Sequence, residues 1–304
     1  MKRLLLALLI DCTVSLVAAD KPNVIYVMLD DAGYGDFGAF GSKYVKTTTF
    51  DKMCSEGMKF TQHYSGSAVC APPRCVLMTG LHTGHCRRRD NTAKALQDEL
   101  SAKNGRPLVF LRDEDLTVAE VMKKAGYVTG GIGNPGSSGV PEKQGFDYWY
   151  GYLDQVHAHN HFPTEIWEGG KMIPLPGNAK GKKASYVPYL QEEKTLSFIK
   201  RNKGRPFFLY LAYTPPHGAY VIPEDDPAFA LYGNIPGGKT VRHYASMITQ
   251  VDRSVGKVMA LLKELEIDER TIVFYTSDNG PNKPFVGPLG SSGGLRGVKR
   301  QLYE

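Results

Sequence analysis

Cysteine is scarce, and its spacing pairs nothing. The 304-residue chain has five, at Cys12, Cys54, Cys70, Cys75 and Cys86. None forms Cys-x-x-Cys, which argues against a structural zinc site. The odd count argues against a disulfide framework, although a single bridge stays open. A strong charge of one sign is also lacking: 37 Lys and Arg against 31 Asp and Glu leave a net +6. The one basic cluster, Arg87-Arg88-Arg89, has no interleaved aromatics, so a nucleic-acid partner is not expected. Beyond residue 19 no apolar run is long enough to span a bilayer, so stable membrane insertion is not expected. No internal repeat or clear linker divides the chain. With 42% hydrophobic and 22% charged residues the composition is that of a folded protein. The length suits one large α/β domain or two small ones.

The first 19 residues read as a secretory signal. Lys2 and Arg3 form a charged start, Leu4 to Ile10 an apolar centre, and Val17-Ala18-Ala19 a small-residue cleavage site before Asp20. Asp11 is the one carboxylate in this stretch. The expectation is an exported soluble protein, periplasmic or secreted, whose residues 20–304 form the working domain.

Three short apolar runs set the architecture. Asn23 to Leu29, Pro206 to Ala212 and Thr271 to Thr276 are rich in β-branched and aromatic residues, as in strands buried on both faces of a parallel sheet. Each runs into polar groups: Asp30-Asp31, Tyr213-Thr214-Pro215-Pro216-His217 and Ser277-Asp278-Asn279-Gly280. In open α/β sheets, ligands bind at the carboxyl ends of the strands. The paired carboxylates Asp30 and Asp31 repel unless neutralised, and a hard divalent cation bound through oxygen does that. Asp278 and Asn279 add a carboxylate and an amide oxygen to the set. The plainer alternative is a pair of polar turns, since Asn-Gly is a common turn dipeptide. Helices are expected over Thr47 to Phe60, Leu116 to Ala125 (capped by Thr117 and ended by Gly126), Leu190 to Asn202 and Arg242 to Glu264. Asp252, on the last of these, is expected to make a polar contact.

Cys70-Ala71-Pro72-Pro73-Arg74 continues into Cys75-Val76-Leu77-Met78-Thr79-Gly80. Proline suits the first turn of a helix and not its interior. Cys70 is thus placed just before a helix N-terminus, where free N–H groups favour negative charge, and Arg74 follows one turn later. An ordinary turn with a buried thiol would read the same way.

Three ordered stretches together resemble the sulfatase family. They are Pro22-Asn23 through Asp30-Asp31-x-Gly33-Tyr34-Gly35-Asp36, the Cys-x-Pro-x-Arg run at Cys70 to Arg74 with its Met78-Thr79-Gly80 continuation, and Gly297-x-Lys299 through Tyr303-Glu304. The resemblance implies an alkaline-phosphatase-like α/β fold, a mostly parallel central sheet sandwiched by helices. It implies that Cys70 is oxidised to formylglycine by a formylglycine-generating enzyme, and that the hydrated aldehyde attacks a sulfate ester. It implies calcium, with magnesium as the alternative, held by Asp30, Asp31, Asp278, Asn279 and the modified Cys70. Arg74 would orient the nucleophile, Lys299 and His217 would hold the sulfate, and His217 or Lys299 would neutralise the leaving oxygen. His157, more than His159, stands where the family places a polar pocket residue.

The chain departs from the family at three points. Pro73 stands where serine is commoner. After Gly133 the family's Lys-Trp-x-Leu-Gly is replaced by Asn134-Pro135-Gly136, and the pattern resumes at Pro141. At Glu304 the family would continue into a smaller C-terminal domain. The expected reaction is hydrolysis of aryl or carbohydrate sulfates. Hydrolysis of phosphate or phosphonate esters, and an impaired sulfatase-like fragment, stay open as alternatives.

Overall fold

The computed structural model describes residues 21–91, 111–136 and 139–303. The signal expected at residues 1–19 lies outside them. Seven strands among the described residues form one sheet: β1 (Asn23–Asp30), β2 (Val128–Gly133), β3 (Tyr148–Gly151), β4 (Glu165–Glu168), β5 (Lys171–Pro174), β6 (Phe207–Pro216) and β7 (Thr271–Ser277). Their order is β5-β4-β3-β2-β6-β1-β7. The five strands from β3 to β7 are parallel, and β4 and β5 add an antiparallel hairpin at one edge. The expected α/β architecture is therefore present.

Helices flank the sheet: α1 (Thr48–Glu56), α2 (Ala71–Thr79), α3 (Val118–Lys124), α4 (Gln155–Ala158), α5 (Val187–Asn202), α6 (Pro227–Ala230), α7 (Gly238–Glu264) and α8 (Lys283–Leu289). The strand period of two divides the core. In β6, Phe207, Leu209, Leu211 and Tyr213 join one apolar cluster with α5 and α7. Phe208, Tyr210 and Ala212 join the other, beside Cys75 and Met78 of α2. Every residue of β6 is buried, which is why its sequence is a continuous apolar run rather than an alternation. At the β7 edge, Ile272 and Phe274 are exposed, and Phe274 stacks on Tyr26.

The sequence shows three of these strands and passes over four. β2 reads Val-Thr-Gly-Gly-Ile-Gly, with little apolar content. Its glycines make room for rings: a Cβ on Gly130 would lie 2.4 Å from Phe198, and one on Gly131 2.1 Å from Trp149. The apolar bulk of that strand is thus supplied by its neighbours.

Two helix ends show how local chemistry sets boundaries. Thr117 caps α3: its hydroxyl accepts from Glu120 N, while Glu120 Oε2 accepts from Thr117 N at 2.8 Å. The expected polar contact of Asp252 is a cap on another helix: its two oxygens accept the Thr49 and Phe50 amides of α1, each at 2.8 Å.

Candidate active site

The carboxyl ends of four neighbouring parallel strands converge. β1 delivers Asp30 and Asp31, β7 delivers Asp278 and Asn279, β6 leads to His217, and β2 leads to Asn134. From outside the sheet, α2 brings Cys70 at its N-cap and Arg74 in its first turn. The loop after α8 brings Lys299, whose amide donates to Pro281 O at 2.9 Å. Apart from His217, which is partly exposed, all of these side chains are buried.

Arg74 bridges two carboxylates. Its Nε donates to Asp278 Oδ2 at 2.9 Å, Nη2 to Asp30 Oδ2 at 3.1 Å, and Nη1 to Asn134 O at 3.1 Å. The planar fork of a guanidinium matches this three-way demand, and a lysine could not. Asp31 is the most crowded acceptor. Lys299 Nζ, Asn279 Nδ2 and Asn282 Nδ2 all donate to its oxygens, at 2.8, 2.7 and 2.8 Å, and His217 Nε2 lies 3.3 Å away. Asp31 adopts φ +70, an uncommon left-handed value for a non-glycine residue. Its amide donates to Asp278 Oδ1 at 3.1 Å and its carbonyl accepts from the Tyr244 hydroxyl at 3.0 Å, which together hold that conformation.

Charge follows from this geometry. Burial opposes ionisation of Asp30, but Arg74, His217 and Lys299 outweigh it and hold the carboxyl down at about 2. Burial and the neighbouring Asp30 push Asp31 and Asp278 up from the usual carboxylate range. Burial and the three carboxylates also push the Cys70 thiol well up, against the pull of Lys299, whose Nζ is 2.8 Å from the sulfur. Three buried carboxylates thus face two fixed cations, Arg74 and Lys299.

Donor chemistry and spacing suit a hard divalent cation. One ligand atom from each of Asp30, Asp31, Cys70 and His217 lies within 4.8 Å of the others. Asp30 Oδ1 and Asn279 Oδ1 are buried oxygens that no protein donor meets. Unpaired buried acceptors are costly, and cation coordination would satisfy both.

Residues 22–296 match the sulfatase family model. The chain belongs to the sulfatase family. Among curated relatives of this sulfatase-family chain, N-acetylgalactosamine-6-sulfatase of Canis lupus familiaris is 32% identical, covering 94% of the chain and 56% of that protein. Arylsulfatase of Hemicentrotus pulcherrimus is 29% identical, covering 99% and 54%. The chain therefore spans a little over half the length of these relatives. Among solved structures, that of Ps i-CgsB in complex with k-i-k-neocarrahexaose superposes with a TM-score of 0.76 at 27% identity, covering 94% of this chain and 64% of that one. Phosphonate monoester hydrolase of Agrobacterium radiobacter shares the fold, with a TM-score of 0.56 at 18% identity.

Of the residues singled out in the sequence of this sulfatase-family chain, Asp30, Asp31, Cys70, Arg74, His217, Asp278, Asn279 and Lys299 lie together. The two histidines at the end of α4 meet different partners. His157 sets its ring edge-on to Tyr152, with centroids 5.2 Å apart, whereas His159 stacks on His217 at 4.1 Å. Two residues along a helical turn differ in direction by about 200°, so the two rings cannot share a target. Burial, then His217, lowers His159 to about 4.

Sequence reasoning missed two site residues. Asn134 is buried, and its Nδ2 donates to Asp30 Oδ2 at 3.3 Å while its Oδ1 accepts from Gly136 N at 3.0 Å. The continuity of β2 up to Gly133 shows that the strand is intact, and Asn134 is the first residue beyond it. Asn282 joins Asp31 to the Tyr220 hydroxyl, the latter at 2.9 Å. No sequence signal marked Asn134, because the glycine-rich strand before it does not read as a strand. Nor did one mark Asn282, three residues beyond Asn279.

Proposed function

We propose that the chain hydrolyses sulfate esters, of aryl or carbohydrate alcohols, with Cys70 in its formylglycine form as nucleophile and calcium as the resident cation, magnesium being the alternative. The observation that carries this reading is the buried set of Asp30, Asp31, Asp278 and Asn279 closing around Cys70, with Arg74 and Lys299 beside it. A cysteine thiol whose ionisation is opposed by burial and by three carboxylates is a poor nucleophile, so the site favours a different group at this position. Once bound, the cation would supply Lewis acidity and lower the pKa of the attacking hydroxyl. The same charge would let an anionic ester approach the carboxylates.

The chain's own residues do the rest. Arg74 holds Asp30 and Asp278 apart and in register. Lys299, the cation nearest Cys70, holds a sulfate oxygen. His217 sits at the partly exposed side of the cluster, suited to give a proton to the leaving alcohol. These positions stabilise charge that grows in the transition state, typically the largest single contribution to such a rate. Export through residues 1–19, followed by maturation by a formylglycine-generating enzyme, completes the reading.

The test is turnover of a chromogenic aryl sulfate with calcium present, in protein co-expressed with a formylglycine-generating enzyme. A phosphate ester is run in parallel, with Cys70→Ala as the control. Sulfate turnover that disappears in the control is the expected result. No sulfate turnover, in protein shown by mass spectrometry to carry the aldehyde, would overturn the proposal. Faster phosphate turnover would reassign the substrate class.

A further inference from the structure

Two further cysteines lie close together on and after the helix that presents Cys70. Cys75, on α2, and Cys86, in the following loop, are both fully buried, in the cluster with Met28, Met78 and Phe208. The two thiols adjoin, and both meet the Arg88 backbone, Cys86 donating to its carbonyl at 3.1 Å. The fold brings them together by reversing the chain: Gly80 ends α2 at φ +67, and a turn from His82 returns Cys86, whose amide donates to His82 O at 2.9 Å. The other two thiols of the described residues lie elsewhere. Cys70 faces Asp31 and Lys299, and Cys54 packs with the opposite core. The same loop carries Asn91, whose Oδ1 accepts from Ala71 N at 3.0 Å, the first amide of the helix that presents Cys70.

We propose that Cys75 and Cys86 close a disulfide in an oxidising medium, and that this bond pins the loop carrying Asn91 onto the helix that presents Cys70. The bond forms by exchange with a disulfide oxidant, either a small-molecule or a protein disulfide. One cysteine thiolate attacks a sulfur of the oxidant and expels a thiolate. The second cysteine thiolate then attacks the protein sulfur of the mixed disulfide and expels the other. Two protons and two electrons leave the pair, and the oxidant is reduced to two thiols. Burial pushes the Cys75 thiol up to about 11, so exchange is slow in the folded chain and belongs to the stage before the cluster closes. The pairing leaves Cys70 as the one thiol of its segment free for conversion. The medium that would oxidise the pair in a cell rests on the export proposed above; closure in a defined buffer does not.

The full chain is refolded in oxidised or in reduced glutathione, alkylated and digested with trypsin. Both cysteines fall on one peptide, Cys75 to Arg87, separate from Cys70. After oxidation this peptide should resist alkylation and be lighter by two hydrogens. The oxidised chain should melt about 3–8 °C above the reduced one. The Ala71 amide should exchange several-fold more slowly in the oxidised form. Cys75→Ala or Cys86→Ala should each abolish the redox shift in Tm, and the wild-type mass decides the pairing if either variant fails to fold. Alkylation of both cysteines after oxidation, or a link from either one to Cys70 or Cys54, would overturn the proposal. Unchanged Ala71 exchange would overturn the pinning. A cell-derived chain found reduced, yet closing in glutathione, would support the pair and count against export.

Discussion

Lys299 Nζ lies 2.8 Å from the Cys70 sulfur and 2.6 Å from Asp31 Oδ1, so one ammonium joins the candidate nucleophile to a candidate metal ligand. Replacing it with alanine removes the cation nearest the reacting centre. Lys299→Ala should lose two to three orders of magnitude in kcat/KM for an aryl sulfate, about 2.7–4 kcal/mol of transition-state stabilisation. Steady-state kinetics on aldehyde-bearing protein check this, and a loss under threefold would remove Lys299 from the sulfate site.

Calcium should stabilise the fold. A cation that binds the native cluster of Asp30, Asp31 and Asp278, and not the unfolded chain, adds about 2.7 kcal/mol at one hundred times its Kd. Tm should rise on adding calcium and fall on chelation. Asp278→Asn should shrink the rise. Equal Tm with calcium and with chelator would mean that the carboxylates are satisfied by Arg74 and Lys299 alone.

The two histidines of the α4 region should behave differently. His159 stacks on His217, and its Nε2 is buried without a protein partner, whereas the His157 ring meets Tyr152. His159→Ala should lower kcat about tenfold or more through loss of the His217 position, and His157→Ala less than threefold. The reverse order would favour His157 as the pocket residue.

Stability should carry a pH signature from Asp252, which caps α1. Burial pushes this carboxyl up to about 6, against the opposing pull of the Thr49 and Phe50 amides. In the unfolded chain an aspartate titrates near 3.9. A raised folded value means that the native state prefers the protonated form. The contribution is complete below about pH 4 and is lost as pH rises through 6. Relative to Asp252→Asn, the wild-type chain should lose about 2–3 kcal/mol between those limits. Urea melts of both proteins at pH 4.5 and pH 7 measure it, and parallel curves would contradict the assignment.

The legible parts of the fold were those with a strong local pattern. β6 is apolar throughout because both its faces are covered, and α7 repeats its apolar residues at helical spacing along a 27-residue helix. β2 was illegible because its glycines are filled by Phe198 and Trp149 from other elements, and β3 to β5 because four residues each carry too little pattern. At the site, Asp30-Asp31 and Asp278-Asn279 were visible as polar groups ending apolar runs. Asn134 was passed over because it stood only as a departure from the family's pattern after Gly133, and the register of β2 beside β6 is what places it against Asp30.

By itself, the sequence determined the parallel-sheet class, the chemistry available at each strand end, and the helix that starts at Cys70, because these depend on neighbours a few residues apart. The tertiary structure decided which of those groups meet. Arg74 reaches Asp278 across 204 residues of chain and Lys299 reaches Asp31 across 268. The stacking of His159 on His217, and the approach of Cys75 to Cys86, were decided the same way. Such contacts depend on strand order and on the direction in which a helix turns its side chains, and neither is written in local spacing.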